Sequence, residues 1–198
     1  MMGDVLKEDY EQENKIEVEK FLEYVMSEIK YPVEDYYFAI ELLKKNYSRY
    51  EDVRMAILGA YLSSTWYRAD ENEFLSYLEK HLSTANNQDK AIIYYLQAYD
   101  IYMRYDKEYP LEYEALLRKS ISFSNRFVYN YVRLSEIEKG KRAKELLRCA
   151  RNNVEHIWAE ADLLKVTNDN AYKYEEFIDE FVLGVDISKS QYEILFKR

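Results

Sequence analysis

Apolar residues recur every three or four positions along nearly the whole chain, the spacing that lines up one face of an α-helix. Val18, Phe21, Leu22, Val25 and Ile29 form the first stripe, flanked by Glu17, Glu19, Glu23 and Glu28. This pattern predicts an amphipathic helix over about residues 12–30 with an acidic outer face. The Glu-, Asp- and Gln-rich residues before it are expected to fray. Pro32 ends that helix and opens the next, because proline fits a first helical turn and disfavours helix in the residue before it. Ala39, Ile40, Leu42 and Leu43 carry the second helix to about Asn46. "NYSRYED" reads as a turn, and Val53, Ala56, Ile57, Ala60 and Tyr61 begin a third stripe.

"YRADENE" breaks that stripe, and Phe74, Leu75, Leu78 and Leu82 mark a fourth. Asn86 or Asn87 supplies an N-cap, since a short side-chain oxygen can take up free backbone N–H groups. "AIIYYLQAYDIYMRY" is apolar nearly all round: Ala91, Tyr95, Ala98 and Tyr102 on one face, Ile92, Leu96, Tyr99 and Met103 on another. Such a helix is enclosed by neighbours and is expected at the centre of the fold. Pro110 opens another helix. Ala143, Leu146, Leu147, Ala150, Val154, Ile157, Ala161 and Leu164 keep one phase, which predicts a single long helix from about Lys141. "VTNDN" ends it. Phe177, Ile178 and Phe181 mark a helix closed by Gly184, and Ser188 to Gln191 has capping-box spacing for a short final helix. No segment alternates like a strand. The pattern predicts an all-α fold of about nine helices.

Two stretches echo each other. "YPVEDYY" at 31 and "YPLEYEA" at 109 share Tyr-Pro-aliphatic-Glu, with their prolines 78 residues apart. Leu42-Leu43-Lys44-Lys45 returns as Leu116-Leu117-Arg118-Lys119 at an offset of 74. They read as a helix–turn–helix unit with a period of somewhat under about 40 residues. In "ALLRKSISFSNRFVYNYVRLSEIEKGKRAKELLRCARNN", a leucine is followed by a small residue, Leu134-Ser135. Ala143, Leu147 and Ala150 then follow in Ala-x-x-x-Leu-x-x-Ala spacing. Leu58-Gly59 and Ala39-x-x-x-Leu43 repeat parts of the pattern. On these residues the chain resembles the tetratricopeptide repeat, with the turn between Leu134 and Ala143 clipped.

The resemblance implies an α-solenoid of antiparallel helix hairpins over residues 32–165, whose concave face binds peptides or protein segments. The whole, residues 1–198, is then one all-α domain, with 1–31 an acidic N-terminal helix and 166–198 capping helices. One family subtype clamps a partner's C-terminal carboxylate from successive first helices. Arg133 sits at a suitable position, but Ala56 and Ala60 cannot donate charge-assisted hydrogen bonds, so that clamp is not expected.

Composition supports the helical reading. The chain of 198 residues is 48% hydrophobic and 33% charged, with 4 Gly and 2 Pro. So little glycine and proline favours long helices over many tight turns. A single Cys, Cys149, allows no internal disulfide. The first residues hold no apolar run fit for a signal peptide, and no stretch reaches membrane-spanning length. A cytoplasmic location without membrane contact is expected.

Charge is unevenly spread. The net charge is −9, yet residues 118–151 carry ten Lys or Arg against three acids. Lys141, Lys144, Arg148 and Arg151 share a narrow arc opposite Ala143, Leu146, Leu147 and Ala150. With Arg118, Lys119, Arg126 and Arg133 they form a candidate partner-binding basic strip. The strip either meets an acidic protein segment or phosphate backbone, or pairs with carboxylates of this chain or of a second copy in a homodimer. A sequence pI near 5.0 argues against nucleic acid.

Catalytic groupings are sparse. His81 and His156 are the two histidines, and neither lies in a metal-binding motif. His156 and Glu160 are one turn apart, a spacing more often a surface contact than a metal site. Cys149 beside Arg148 and Arg151 reads as a partly buried helix cysteine without chemistry. No catalytic residue, metal ligand or cofactor is assigned. The 22 Tyr stand out. Tyr94, Tyr95, Tyr99, Tyr102, Tyr105 and Tyr109 cluster, and Tyr95, Tyr99, Tyr102 and Tyr129 are the candidate groove aromatics, though most such rings serve packing. The expected function is a non-catalytic adaptor that binds a protein or peptide. Two alternatives stay open: an inhibitor or immunity-type protein covering a basic enzyme with its acidic surface, and nucleic-acid binding through 118–151.

Overall fold

Among the described residues, the chain is helix where the stripes predict helix. The computed structural model describes residues 2–29, 35–65, 72–105, 109–125 and 127–161, with side chains between 14 and 153. These hold eight helices and no strand: α1 (Met2–Glu28), α2 (Tyr36–Tyr50), α3 (Val53–Thr65), α4 (Glu73–His81), α5 (Asn87–Arg104), α6 (Leu111–Phe123), α7 (Val128–Ile137) and α8 (Lys141–Ala161). Each packs on its neighbours in sequence, and α3 also packs on α5. The result is an all-α array of antiparallel helix hairpins. No helix among the described residues is long and apolar enough to cross a membrane.

The punctuation is legible in the caps. Asn86 accepts a hydrogen bond from the Asp89 backbone N–H at 2.9 Å, opening α5. Pro110 stands immediately before α6. Gly140 has φ +64°, which glycine adopts without strain, and lets the chain reverse between α7 and α8 within residues 138–140. The unbroken phase from Lys141 is one helix. Elsewhere the boundaries differ. The first helix begins at Met2 rather than near residue 12. In "NYSRYED" α2 continues to Tyr50, and the turn shrinks to Glu51 and Asp52. Glu51 adopts φ +46° and its N–H donates to the Tyr47 carbonyl at 2.7 Å. Asp52 Oδ1 then accepts from the Arg54 N–H at 2.8 Å and caps α3. Pro32, most of "YRADENE", and the two helices expected after residue 165 lie outside the described residues.

As expected, α5 is enclosed, packing on α3, α4 and α6, but the most continuously buried helix is α3. Every residue from Met55 to Ser64 is buried, because Ala56, Gly59, Ala60, Ser63 and Ser64 are short enough for α2, α4 and α5 to close around it. At Gly59 the approach is at its limit: a Cβ there would lie 2.4 Å from Phe74 Cδ1 and Cε1. By contrast α5 buries Ala91, Tyr95, Leu96 and Ala98 but leaves Tyr94, Tyr99 and Tyr102 half-buried. Two polar networks tie the layers together. Asp100 joins Ser64 and Asn72, linking α3, the start of α4 and α5. Ser120 donates to the Ala91 carbonyl at 2.6 Å and accepts from Asn130 at 2.8 Å, linking α5, α6 and α7.

The α2–α4 seam carries a titratable contact. Tyr47 Oη and His81 Nε2 are 2.7 Å apart, and Tyr47 stacks on Tyr77 with centroids 4.1 Å apart. Partial burial lowers the His81 pKa below its usual value, against the pull of Asp52 and Glu51. A depressed histidine pKa means that the unfolded chain takes up its proton first as pH falls. Stability is therefore expected to decline as pH drops below about 6.5. Thermal melts at pH 7.5 and 5.5 check this: His81→Gln should lose less stability over the interval than the unsubstituted protein. An equal loss in both would remove His81 from the account.

Candidate functional site

A row of tyrosine rings crosses three helices. Tyr61 of α3 stacks on Tyr99 of α5 with centroids 5.5 Å apart, and Tyr99 faces Tyr102 at 6.4 Å. Tyr102 meets Tyr109 at 5.8 Å, and Tyr109 meets Tyr113 of α6 at 4.4 Å. Within α5 the spacing 95, 99, 102 puts three rings on one face, one turn apart. Tyr95 stacks on Tyr99 at 5.9 Å and reaches Phe127 at 5.8 Å. Across the gap α7 contributes Arg133, whose guanidinium lies 3.7 Å above the Tyr102 ring and bonds Glu136 Oε1 at 3.2 Å. Tyr129, also on α7, is half-buried.

Members of the row differ in exposure. Tyr61 and Tyr113 belong to the core, whereas Tyr99, Tyr102 and Tyr109 are half-buried. Among the four candidate groove aromatics, Tyr99, Tyr102 and Tyr129 present part of their rings. Tyr95, 3% exposed, is core packing rather than lining. Tyr94 faces elsewhere, stacked on Phe123 with Lys119 4.2 Å above its ring, and Tyr105 is exposed.

The hydroxyls are held protonated. Burial pushes Tyr36 up to about 12, with Tyr99 adding to the shift. Burial likewise raises Tyr61, Tyr95, Tyr99 and Tyr113 above the ordinary phenol value. At neutral pH these groups can donate or share a hydrogen bond, as Tyr99 does with Thr65 Oγ1 at 3.1 Å. They are poor bases and poor nucleophiles.

The basic strip divides. Arg118 bonds Glu114 Oε1 at 2.7 Å and also pairs with Glu138. Arg142 approaches Glu138 at 3.5 Å, and Lys141 reaches Glu145 at 3.8 Å. Arg133 turns into the tyrosine row. Lys144 and Arg148 stay exposed on α8, with no ion-pair partner among the described residues; Arg151 is exposed beside them. Arg126 lies outside the described residues. The acidic face of α1 pairs elsewhere: Glu17 with Arg49 at 3.1 Å and Glu19 with Arg54 at 3.5 Å. Much of the local positive charge is therefore met by carboxylates of the 114–145 region itself.

For metal chemistry, no three His, Cys, Asp or Glu side chains converge among the described residues. The side chains of His156 and Glu160 lie outside them. Cys149 is exposed rather than partly buried. Sequence reading missed Tyr61 and Tyr113 as members of the row. Their separation in sequence hides a contact that only the packing of α3, α5 and α6 creates. The Tyr-Pro-x-Glu-Tyr start of α6 was the visible signal. Comparison of the chain with protein-family models, with curated proteins and with solved structures finds no match.

Proposed function

We propose that the protein is a non-catalytic module that binds an extended segment of another protein along the tyrosine row. The observation that carries this reading is the continuous line of stacked rings, half-exposed at Tyr99, Tyr102 and Tyr109, with Arg133 set over its middle. Tyrosine offers large apolar area with a hydrogen-bonding tip and few torsions to freeze, which suits it to peptide recognition. A core needs no such half-open line, since α3 and its neighbours already enclose their aliphatic side chains. The raised phenol pKa values suit these rings to hydrogen bonding rather than to acting as bases. A single exposed cysteine fits a reducing, cytoplasmic setting.

Panning a random peptide display library against the protein tests this. Enriched peptides should lose about tenfold in affinity, roughly 1.4 kcal/mol, when Tyr102 or Tyr129 becomes Ala. Melting curves of the variants show whether the array stays folded. Lys144→Glu with Arg148→Glu probes the α8 face in the same assay. Retained binding assigns recognition to the row, and lost binding moves it to α8.

A further inference from the structure

The tyrosine row runs into a cavity of about 440 Å³ between the first turn of α6 and the last turn of α7. Tyr109, Pro110, Leu111 and Ile137 form its apolar walls, and Tyr113, Glu114 and Glu136 add polar groups. Leu111 is 92% exposed, a large apolar side chain left uncovered at the rim. Tyr113 is 1% exposed, and its hydroxyl finds no hydrogen-bond partner. Leaving a buried hydroxyl unmet is destabilising. A group that enters the cavity and meets it recovers that cost.

Among the described residues, the lining contains two carboxylates and no basic residue. Each spends one oxygen on a guanidinium outside the lining: Glu114 Oε1 on Arg118 and Glu136 Oε1 on Arg133. The second oxygen of each has no partner among the described residues. Glu136 and Ile137 also stand in the last turn of α7, where the helix dipole favours positive charge. The opposing dipole at the start of α6 is offset by Glu112 and Glu114 in its first turn. Arg133 opposes a second cation, but it is held over the Tyr102 ring and partly neutralised by Glu136.

We propose that this cavity receives an arginine or lysine side chain of the bound segment. This rests on the reading that the tyrosine row binds a peptide. The methylene stem lies along Pro110, Leu111 and Ile137, as long cationic side chains do on apolar surface. The charged head takes the free oxygens of Glu114 and Glu136 and donates to the Tyr113 hydroxyl, with the Tyr109 ring beside it.

The test uses the full chain and display-enriched peptides, each compared with a version carrying citrulline, the uncharged isostere, at its arginine. Citrulline should weaken binding about tenfold. Glu136→Gln and Glu114→Gln should each weaken the arginine peptide and shrink its advantage over citrulline. Tyr113→Phe should weaken it several-fold without lowering the melting temperature, because its hydroxyl has no internal partner to lose. Enriched peptides without basic residues, or full discrimination kept by both Gln variants, would overturn the proposal and leave the row standing. Spermidine displacing the peptide as well as arginine amide does would overturn it in favour of a free polyamine. Failure to enrich any peptide would instead sink the row reading beneath it.

Discussion

Gly59→Val should bring the protein close to unfolding. A Cβ at position 59 meets the Phe74 ring at 2.4 Å, and that ring is fully buried and packed edge-on against Tyr77 with centroids 5.5 Å apart. Neither partner can move without opening the α3–α4 seam. Overpacking of this kind costs about 1–3 kcal/mol for one added group, and valine adds three carbons with a poor helix propensity. A loss of about 3–4 kcal/mol is expected, a large part of the total stability of an ordinary domain. Gly59→Ala is the finer probe. Alanine gains about 1 kcal/mol of helix propensity over glycine, so the clash is the net loss plus about 1 kcal/mol. Adding Phe74→Leu should recover part of it, with a coupling of about 1 kcal/mol or more between the two sites. Urea unfolding followed by far-ultraviolet circular dichroism gives all three values. A Gly59→Val protein as stable as the parent would mean that α3 and α4 do not meet at these residues.

Asp100→Ala should produce the second large loss, about 2–3 kcal/mol. Asp100 is 7% exposed; its Oδ1 accepts from Ser64 at 2.9 Å and from Asn72 at 3.3 Å, and its Oδ2 from Arg104 at 2.7 Å. Truncation leaves the buried Ser64 hydroxyl without its acceptor, while Asn72 keeps the Ala60 carbonyl at 3.0 Å and Ser64 Oγ at 2.9 Å. Arg104 is 40% exposed and can turn to water, which holds the cost below that of a fully buried pair. Asp100→Asn keeps one acceptor oxygen and should cost about half as much. Equal losses for Ala and Asn would show that charge, not hydrogen bonding, is what the network uses.

These sites also mark how far the sequence could be read. Leu58-Gly59 stood out as part of the repeat pattern, and Phe74 as the start of a stripe. Their contact arises only when α3 and α4 pack, so the pairing was not legible. The all-α class, the Asn86 cap, the start of α6 after Pro110 and the single helix α8 followed from local rules. Those rules act within a few residues. The enclosure of α5 followed from its apolar bulk; the burial of α3 did not, because its short side chains show their use only when neighbours surround it. For the site, the sequence named Tyr95, Tyr99 and Tyr102 as groove candidates but set Tyr99 on a different face from the other two; packing lines Tyr99 and Tyr102 up in the row and turns Tyr95 inward. Glu114 and Glu136 are 22 positions apart in sequence. Nothing local joins them until α6 and α7 pack.

The most direct test of binding along the row is a nuclear magnetic resonance footprint. Protein with isotope-labelled tyrosine rings is titrated with a display-enriched peptide. Shifts concentrated at Tyr99, Tyr102, Tyr109 and Tyr129, with Tyr24 and Tyr37 unmoved, are the expected outcome. Unmoved row resonances while the peptide binds elsewhere, at the α8 lysine and arginine face for example, would contradict it.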